Sequence, residues 1–305
     1  MYIFKEDYAV YNQTETDQGS PAEQSERNHV VDLYKQALIE LQRSQMRARY
    51  KKQQANQLYN SLLALLEEVF SHENELEHFF TFKEANPDHS YRTHALHTAI
   101  LAASIAKWLE LDNYSIIEIA ITGSLHDIGQ VEIPDTILKK KKALTPDEWQ
   151  IIQKHPRTGA GLLLTTSWIT PQILSGILKH HERLDGSGYP EGCSDDAIPL
   201  YSRIVAVAGA YDNATSNHPY KKANTIFEAA ANLRDLSYGQ LDQHITQKLY
   251  DHILAFFSGK TAVLSNGEHG TIVQLGAEPQ RTLIKTEKEF YDLTHKSAPY
   301  VIKVR

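Results

Sequence analysis

The sequence predicts a mainly α-helical fold with a long helix on its N-terminal side and a small β-rich appendage at its C-terminal end. Three observations carry that prediction. Val30 to Phe82 holds neither Pro nor Gly, and its apolar residues recur at helical spacing. From Tyr91 to about Ser258, apolar stretches of helix length alternate with short loops. Within them Thr145-Pro146-Asp147-Glu148 reads as a helix start, with Thr as N-cap, Pro at the first position and Glu at the third. After Gly259 the chain changes to short β-type runs set off by turn residues.

Taken in order, residues 1–28 are expected to be a disordered tail, because NQTETDQGSPAEQSERN offers almost nothing to bury. Residues 29–85 are expected as one long helix. Tyr34, Leu41, Ala48, Ala55, Leu62 and Val69 recur every seven residues, with Leu38, Tyr59 and Leu66 on a companion seam that Gln45 and Lys52 interrupt. Two readings stay open: a helix packed on its own domain, and a helix that pairs with a second copy in a homodimer. Asn86-Pro87 ends the run. Residues 86–258 follow as a helical domain, with helices expected at Tyr91–Leu111, Ile116–His126, Pro171–His181, Ser202–Ala214 and Ile226–Leu236. Residues 259–305 form the appendage, with strands expected at Thr261–Leu264, Gly270–Leu275, Thr282–Ile284 and Tyr300–Val304 and a Ser-Asn-Gly turn joining the first two. The run Lys139–Lys142 reads as a solvated loop, with phosphate steering as the alternative.

A chain of 305 residues accommodates one good-sized core with accessory segments. Its net charge of −7 argues against nucleic acid or an anionic membrane as the main partner. The single cysteine, Cys193, excludes an internal disulfide framework and fits a reducing compartment. The longest strongly apolar stretch, Ala99–Ala106, is too short to span a bilayer, and the opening residues lack a signal-peptide pattern. A soluble cytoplasmic protein is the expectation.

The chemistry-bearing residues concentrate in His126-Asp127-Ile128-Gly129 and in His180-His181-Glu182-Arg183-Leu184-Asp185-Gly186-Ser187-Gly188-Tyr189-Pro190. With His94 and His155 they supply five imidazoles and a carboxylate. Adjacent helical residues point about 100° apart, so His126 and Asp127 cannot chelate one ion side by side without strain. They suit two ions instead, the imidazole binding one and the carboxylate bridging to the next. His180-His181 has the same geometry. His155 precedes Pro156, where the helix should bend and leave the imidazole at its edge. Such ligands suit Fe, Mn, Zn or Ni rather than Mg alone. Two ions about 3.5–4 Å apart clamp a transferring phosphoryl group, which points to metal-dependent hydrolysis of a phosphate ester. His29, His72, His78, His244, His252, His269 and His295 read as surface or core residues without a ligand role.

The stretch from about Tyr91 to Phe257 resembles an HD-GYP domain, a branch of the HD metal-dependent phosphohydrolases. The matching text is THALHTAILAASIA, LHDIGQVEIPDTILKKKKAL, HPRTGAGLL, HHERLDGSGYPEG, IPLYSRIVAVAGAYD and HPYK, and it covers more than half the chain. The resemblance implies a helical bundle of HD type with a bi- or trinuclear centre of iron or manganese. It also implies hydrolysis of the bacterial messenger cyclic di-GMP to pGpG or GMP. It implies that His94, His126, Asp127, His155, His180 and His181 are metal ligands. Gly188, Tyr189 and Pro190 fall on the naming motif, whose loop contacts substrate and partner domains. The same resemblance gives Asp127, Gln130 and Lys221 catalytic roles, and Asp212, His218 and Lys221 contacts to substrate.

The pattern breaks at four places. The family lysine after HDIG is Gln130, and losing a charged stabiliser of this kind costs on the order of 10²–10³ in rate. The family's metal-binding Asp is Gly209, with Asp212 one turn further along the same face. The family's Arg-Pro-Tyr is His218-Pro219-Tyr220, which exchanges a permanent charge for a titratable donor. Ser90 stands where members with a third metal carry Glu, so two metals are expected at most, the Gly209 side short of a ligand. The leading expectation is a slow cyclic di-GMP phosphodiesterase. One alternative is a catalytically silent module that binds cyclic di-GMP or a signalling partner through the GYP loop. Another is an HD phosphohydrolase acting on a different nucleotide.

Overall fold

Apolar residues surround Tyr91–Trp108 on every side rather than striping one face, and a helix of that kind must be buried all round. The computed structural model describes residues 21–49, 57–71, 75–85, 91–140, 142–217, 223–274, 282–292, 299 and 301–304. Its N-terminal region is α1 (Pro21–Arg49), α2 (Gln57–Ser71) and α3 (Glu75–Ala85), followed by the central helix α4 (Tyr91–Trp108) and by α5 (Asn113–Leu125). Two short helices, α6 (Asp135–Leu138) and α7 (Pro146–Ile152), lead into α8 (His155–Leu163) and α9 (Pro171–Lys179). The bundle is completed by α10 (Leu200–Ala214), α11 (Ile226–Leu236) and α12 (Gln243–Phe257).

Helices α5, α10, α12, α1 and α3 all pack on α4, α9 closes the other side against α5 and α10, and α8 packs on α9 and on the turn Ile128–Glu132. Small residues set the closest approach. A Cβ at Gly123 would lie 2.8 Å from the Ala99 Cα, so only glycine lets α5 sit this near α4. The helix starts are fixed locally. Asp112 caps α5 by accepting from the Ser115 N–H, and Thr145 with Glu148 forms the reciprocal capping box expected at the start of α7.

The N-terminal expectation needs correction. Residues 29–85 are not one helix but parts of three, and helix already begins at Pro21, inside the expected tail. The physical reason is that α1 and α2 pack on each other and on the bundle. Tyr34, Leu41, Ala48, Leu62 and Val69 are buried in this chain's own core, so the seven-residue pattern is satisfied within one molecule. Ala55 and Lys52 lie outside the described residues.

The appendage is one antiparallel sheet of β1 (Thr261–Leu264), β2 (His269–Gln274), β3 (Thr282–Thr286), β4 (Phe290–Asp292) and β5 (Val301–Val304), in spatial order β4-β3-β2-β1-β5. The Ser-Asn-Gly turn joins β1 to β2 as expected, with Gly267 at φ +83 where a side chain would be strained. Strand β4 was not foreseen. Ala262, Leu264, Ile272 and Ile284 bury their side chains in the same apolar cluster as the helices. Each large aliphatic side chain so buried contributes roughly 1.5–3 kcal/mol. Among the described residues no helix is long and apolar enough to cross a membrane.

Candidate metal centre

Four helix ends converge on one wall of a cavity of about 1230 Å³. His94 stands in the first turn of α4, His126 and Asp127 follow the end of α5, His155 opens α8, and His180 and His181 follow α9. The close packing of α4 on α5 brings the His94 and His126 rings to 5.2 Å. A comparably tight contact seats α8: a Cβ at Gly129 would fall 2.0 Å from the His155 carbonyl oxygen.

Hydrogen bonds to the far side of each ring decide which nitrogen faces the site. His126 Nδ1 lies 2.6 Å from the Gly123 carbonyl, His155 Nδ1 2.8 Å from that of Ile152, and His180 Nδ1 2.7 Å from that of Ile177. A carbonyl only accepts, so each Nδ1 carries the proton and each Nε2 presents a lone pair. His94 Nδ1 makes the equivalent bond, 2.7 Å, to Asp212 Oδ2. Nε2 of His155 and Nε2 of His180 stand only 3.2 Å apart. Two lone pairs facing each other at that distance call for a cation or a proton between them.

Two candidate ligand clusters result among the described residues, and they share one carboxylate. Asp127, His155, His180 and His181 bring a ligand atom each to within 4.8 Å of one another, as do His94, His126 and Asp127. Asp127 Oδ1 lies 3.0 Å from His155 Nε2 and 3.8 Å from His180 Nε2, while Oδ2 lies 3.3 Å from His126 Nε2. Despite that proximity Oδ1 accepts no well-formed hydrogen bond, which is unusual for a buried carboxylate oxygen. Burial disfavours the Asp127 carboxylate, but His126 and then His155 outweigh it and hold its pKa well below the ordinary range. For His180 and His181, burial and then the neighbouring histidines push the pKa well below the usual imidazole value. Against the effect of burial, Asp127 in turn, with the Gly123 carbonyl, raises the His126 pKa. A charged carboxylate among imidazoles whose Nε2 atoms face it, with an oxygen left over, fits divalent first-row metals.

The loop after α9 is held by its own backbone. The Glu182 carboxylate, almost fully buried, accepts from the Glu191 N–H at 2.7 Å and the Cys193 N–H at 3.1 Å. Gly188 passes so close that a Cβ there would lie 2.4 Å from the His181 carbonyl oxygen. Tyr189 is thereby laid flat on His181, ring centroids 4.6 Å apart, and its ring lines the cavity opposite Trp149. Pro190 offers its carbonyl to Arg157 at 3.4 Å. Gln130, Lys139, Lys140 and Lys142 line the cavity as well, with Lys139 and Lys140 engaged by Asp135 and Glu148.

Asp212 is placed differently from a substrate-binding group. Its side chain is 1% exposed and both oxygens are taken, Oδ2 by His94 and Oδ1 by Lys83 at 2.7 Å and His97 at 3.2 Å. It stands behind His94. The hollow at Gly209 is ordinary in size, since a Cβ there would lie 3.7 Å from Thr98 Cγ2 and 3.9 Å from His94 Cε1. His218 and Lys221 lie outside the described residues, as does Ser90. Sequence reasoning passed over His97, Lys83 and Tyr34. Only His97 carried a signal, standing three residues after His94 on the same helix face.

Comparison with known proteins agrees with this architecture. Residues 57–245 match the family described as HD domain. A cyclic di-GMP phosphodiesterase of Pseudomonas aeruginosa is 32% identical over 206 residues, covering 68% of this chain and 49% of that protein. The cyclic di-GMP phosphodiesterase response regulator RpfG of Xanthomonas campestris is 38% identical over 187 residues, covering 60% and 48%. A 3′3′-cGAMP-specific phosphodiesterase of Vibrio cholerae is 35% identical over 153 residues, covering 50% and 35%. The chain thus spans about half the length of the first two relatives. Among solved structures, an HDG"Y"P protein from Bdellovibrio bacteriovorus superposes with a TM-score of 0.59 at 16% identity, over 78% of this chain and 74% of that one, a likeness of fold. From the matched segment, the paired ligand clusters and the His180–Pro190 run together, the chain belongs to the HD domain family, in its HD-GYP branch.

Proposed function

We propose that this chain is a metal-dependent phosphodiesterase that hydrolyses cyclic di-GMP, with two divalent ions, iron or manganese, held by His94, His126, Asp127, His155, His180 and His181. The observation that carries the reading is the shared carboxylate: Asp127 belongs to both ligand clusters on the wall of one large cavity. Bound divalent ions supply Lewis acidity toward a phosphoryl oxygen and lower the pKa of water. The chain's own side chains do the rest. Arg92 and Arg183 bring positive charge to the cavity wall for an anionic diester, and Tyr189 offers an aromatic edge. Gln130, on the same wall, orients by hydrogen bonding alone. The names of the relatives and the HHERLDGSGYP run support cyclic di-GMP as substrate, in a cytoplasmic setting suited to the one free cysteine.

Gly209 favours a second reading. It contributes no carboxylate on the His94 side, which leaves that cluster with three protein ligands. A module that binds cyclic di-GMP, or a signalling partner at the GYP loop, without turning it over would carry this arrangement. Anaerobically purified protein loaded with Mn(II) or Fe(II) separates the two. Release of pGpG or GMP from cyclic di-GMP, lost in His126→Ala, is the expected result. Binding without product would leave the silent module, and preferential hydrolysis of 3′3′-cGAMP would move the substrate.

A further inference from the structure

A chain of buried polar contacts runs from the N-terminal helices to the back of one metal ligand. Tyr34 on α1 places its hydroxyl 2.9 Å from His97 Nε2. His97 Nδ1 lies 3.2 Å from Asp212 Oδ1, and Asp212 Oδ2 lies 2.7 Å from His94 Nδ1. Lys83 on α3 reaches the same Oδ1 at 2.7 Å and is itself fixed by the Thr215 hydroxyl at 2.7 Å. Tyr34 stacks on Phe82 with ring centroids 4.5 Å apart, which anchors α1 to α3 at this point. Tyr34 also lies outside the segment matched by the family, residues 57–245.

We propose, resting on the metal-dependent reading above, that Tyr34 and Lys83 are positioning residues for the ligand His94, acting through His97 and Asp212. A buried carboxylate held by one hydrogen bond can turn about its last torsion. Here Lys83 and His97 pin Oδ1, so Oδ2 has to face His94 Nδ1. That bond keeps the proton on Nδ1 and leaves Nε2 as the donor to an ion. Lys83 also supplies the counter-charge without which a carboxylate at this depth is costly. Tyr34 acts one step further out. With His97 donating from Nδ1, its Nε2 is an acceptor, and the Tyr34 hydroxyl is the donor that fixes that tautomer.

The test is calorimetric titration of Mn(II) into the chelator-stripped full chain. The binding event that matters is the one abolished by His94→Ala and spared by His181→Ala. Lys83→Met is expected to weaken that event about 10–100-fold, and Tyr34→Phe about threefold to tenfold, with the event lost in His181→Ala unchanged in both variants. A purely architectural role would weaken both events in step with a fall in Tm, and that result overturns the proposal. So does an unmoved His94 event in Lys83→Met. Wild-type protein that takes up no Mn(II) overturns the metal reading as well, whereas two normal ions with unresponsive variants overturn only this inference.

Discussion

At Gly209 and Gln130 the chain departs most sharply from a charged phosphate site, and both positions line the cavity. A Cβ at Gly209 would stand in ordinary contact with Thr98 and His94 and meet no backbone, so a side chain can start there without displacing the helix. Gly209→Asp combined with Gln130→Lys is therefore expected to raise the turnover of cyclic di-GMP about tenfold or more, since a single electrostatic donor is worth 10²–10³. Product release per enzyme is the measurement, at matched metal content, and an unchanged rate would show that neither residue limits the chemistry. At this scale the sequence was legible where residue type restricts chemistry. His126-Asp127 and His180-His181 stand out because few side chains bind metals. It was not legible where role comes from a distant contact. Tyr34 meets His97 across 63 residues of chain and Lys83 meets Asp212 across 129, and neither pairing leaves a local trace.

Elements whose ends are fixed by neighbouring residues were readable; those fixed by packing were not. The capping box of Thr145 and Glu148 is set within four residues and formed as expected. The division of residues 29–85 into separate helices was hidden because the apolar period from Tyr34 to Val69 runs through both α1 and α2, whether they fold back or continue. Strand β4 escaped because three residues, Phe290–Asp292, are too few to show alternation. The contact of α12 with α4 yields a pH prediction. His252 stacks on Trp108, ring centroids 4.1 Å apart, and burial lowers its pKa below the ordinary 6.5. Between those two values the unfolded chain binds more protons than the folded one, so stability is complete above about pH 6.5 and falls as pH drops through the window. Denaturant midpoints measured from pH 7.5 down to 5 should show that slope, and His252→Phe should reduce it, His180 and His181 supplying the remainder with the same sign. A slope unchanged in the variant would assign it elsewhere.

For the molecule as a whole, the mainly helical fold with a terminal sheet followed directly from composition and period, whereas the union of sheet and helices did not. The appendage begins at a change of character after Gly259, yet its inward side chains join the cluster that also contains Tyr34, Leu101 and Phe257. One apolar cluster, with candidate ligands drawn from four helix ends, would tie loading of the proposed metals to the integrity of the described fold. Ions at 100 times their dissociation constant stabilise a fold by about 2.7 kcal/mol. When the globally opened form is the one cleaved, digestion slows in proportion, about 100-fold. Chelator-stripped protein should accordingly disappear faster than Mn(II)-loaded protein under a serine protease, and equal half-lives would mean that cleavage begins at a site indifferent to the ions. If the proposed ions bind, the shared core makes a shortage of them cost copies of this protein as well as occupancy, because proteases remove the globally opened form.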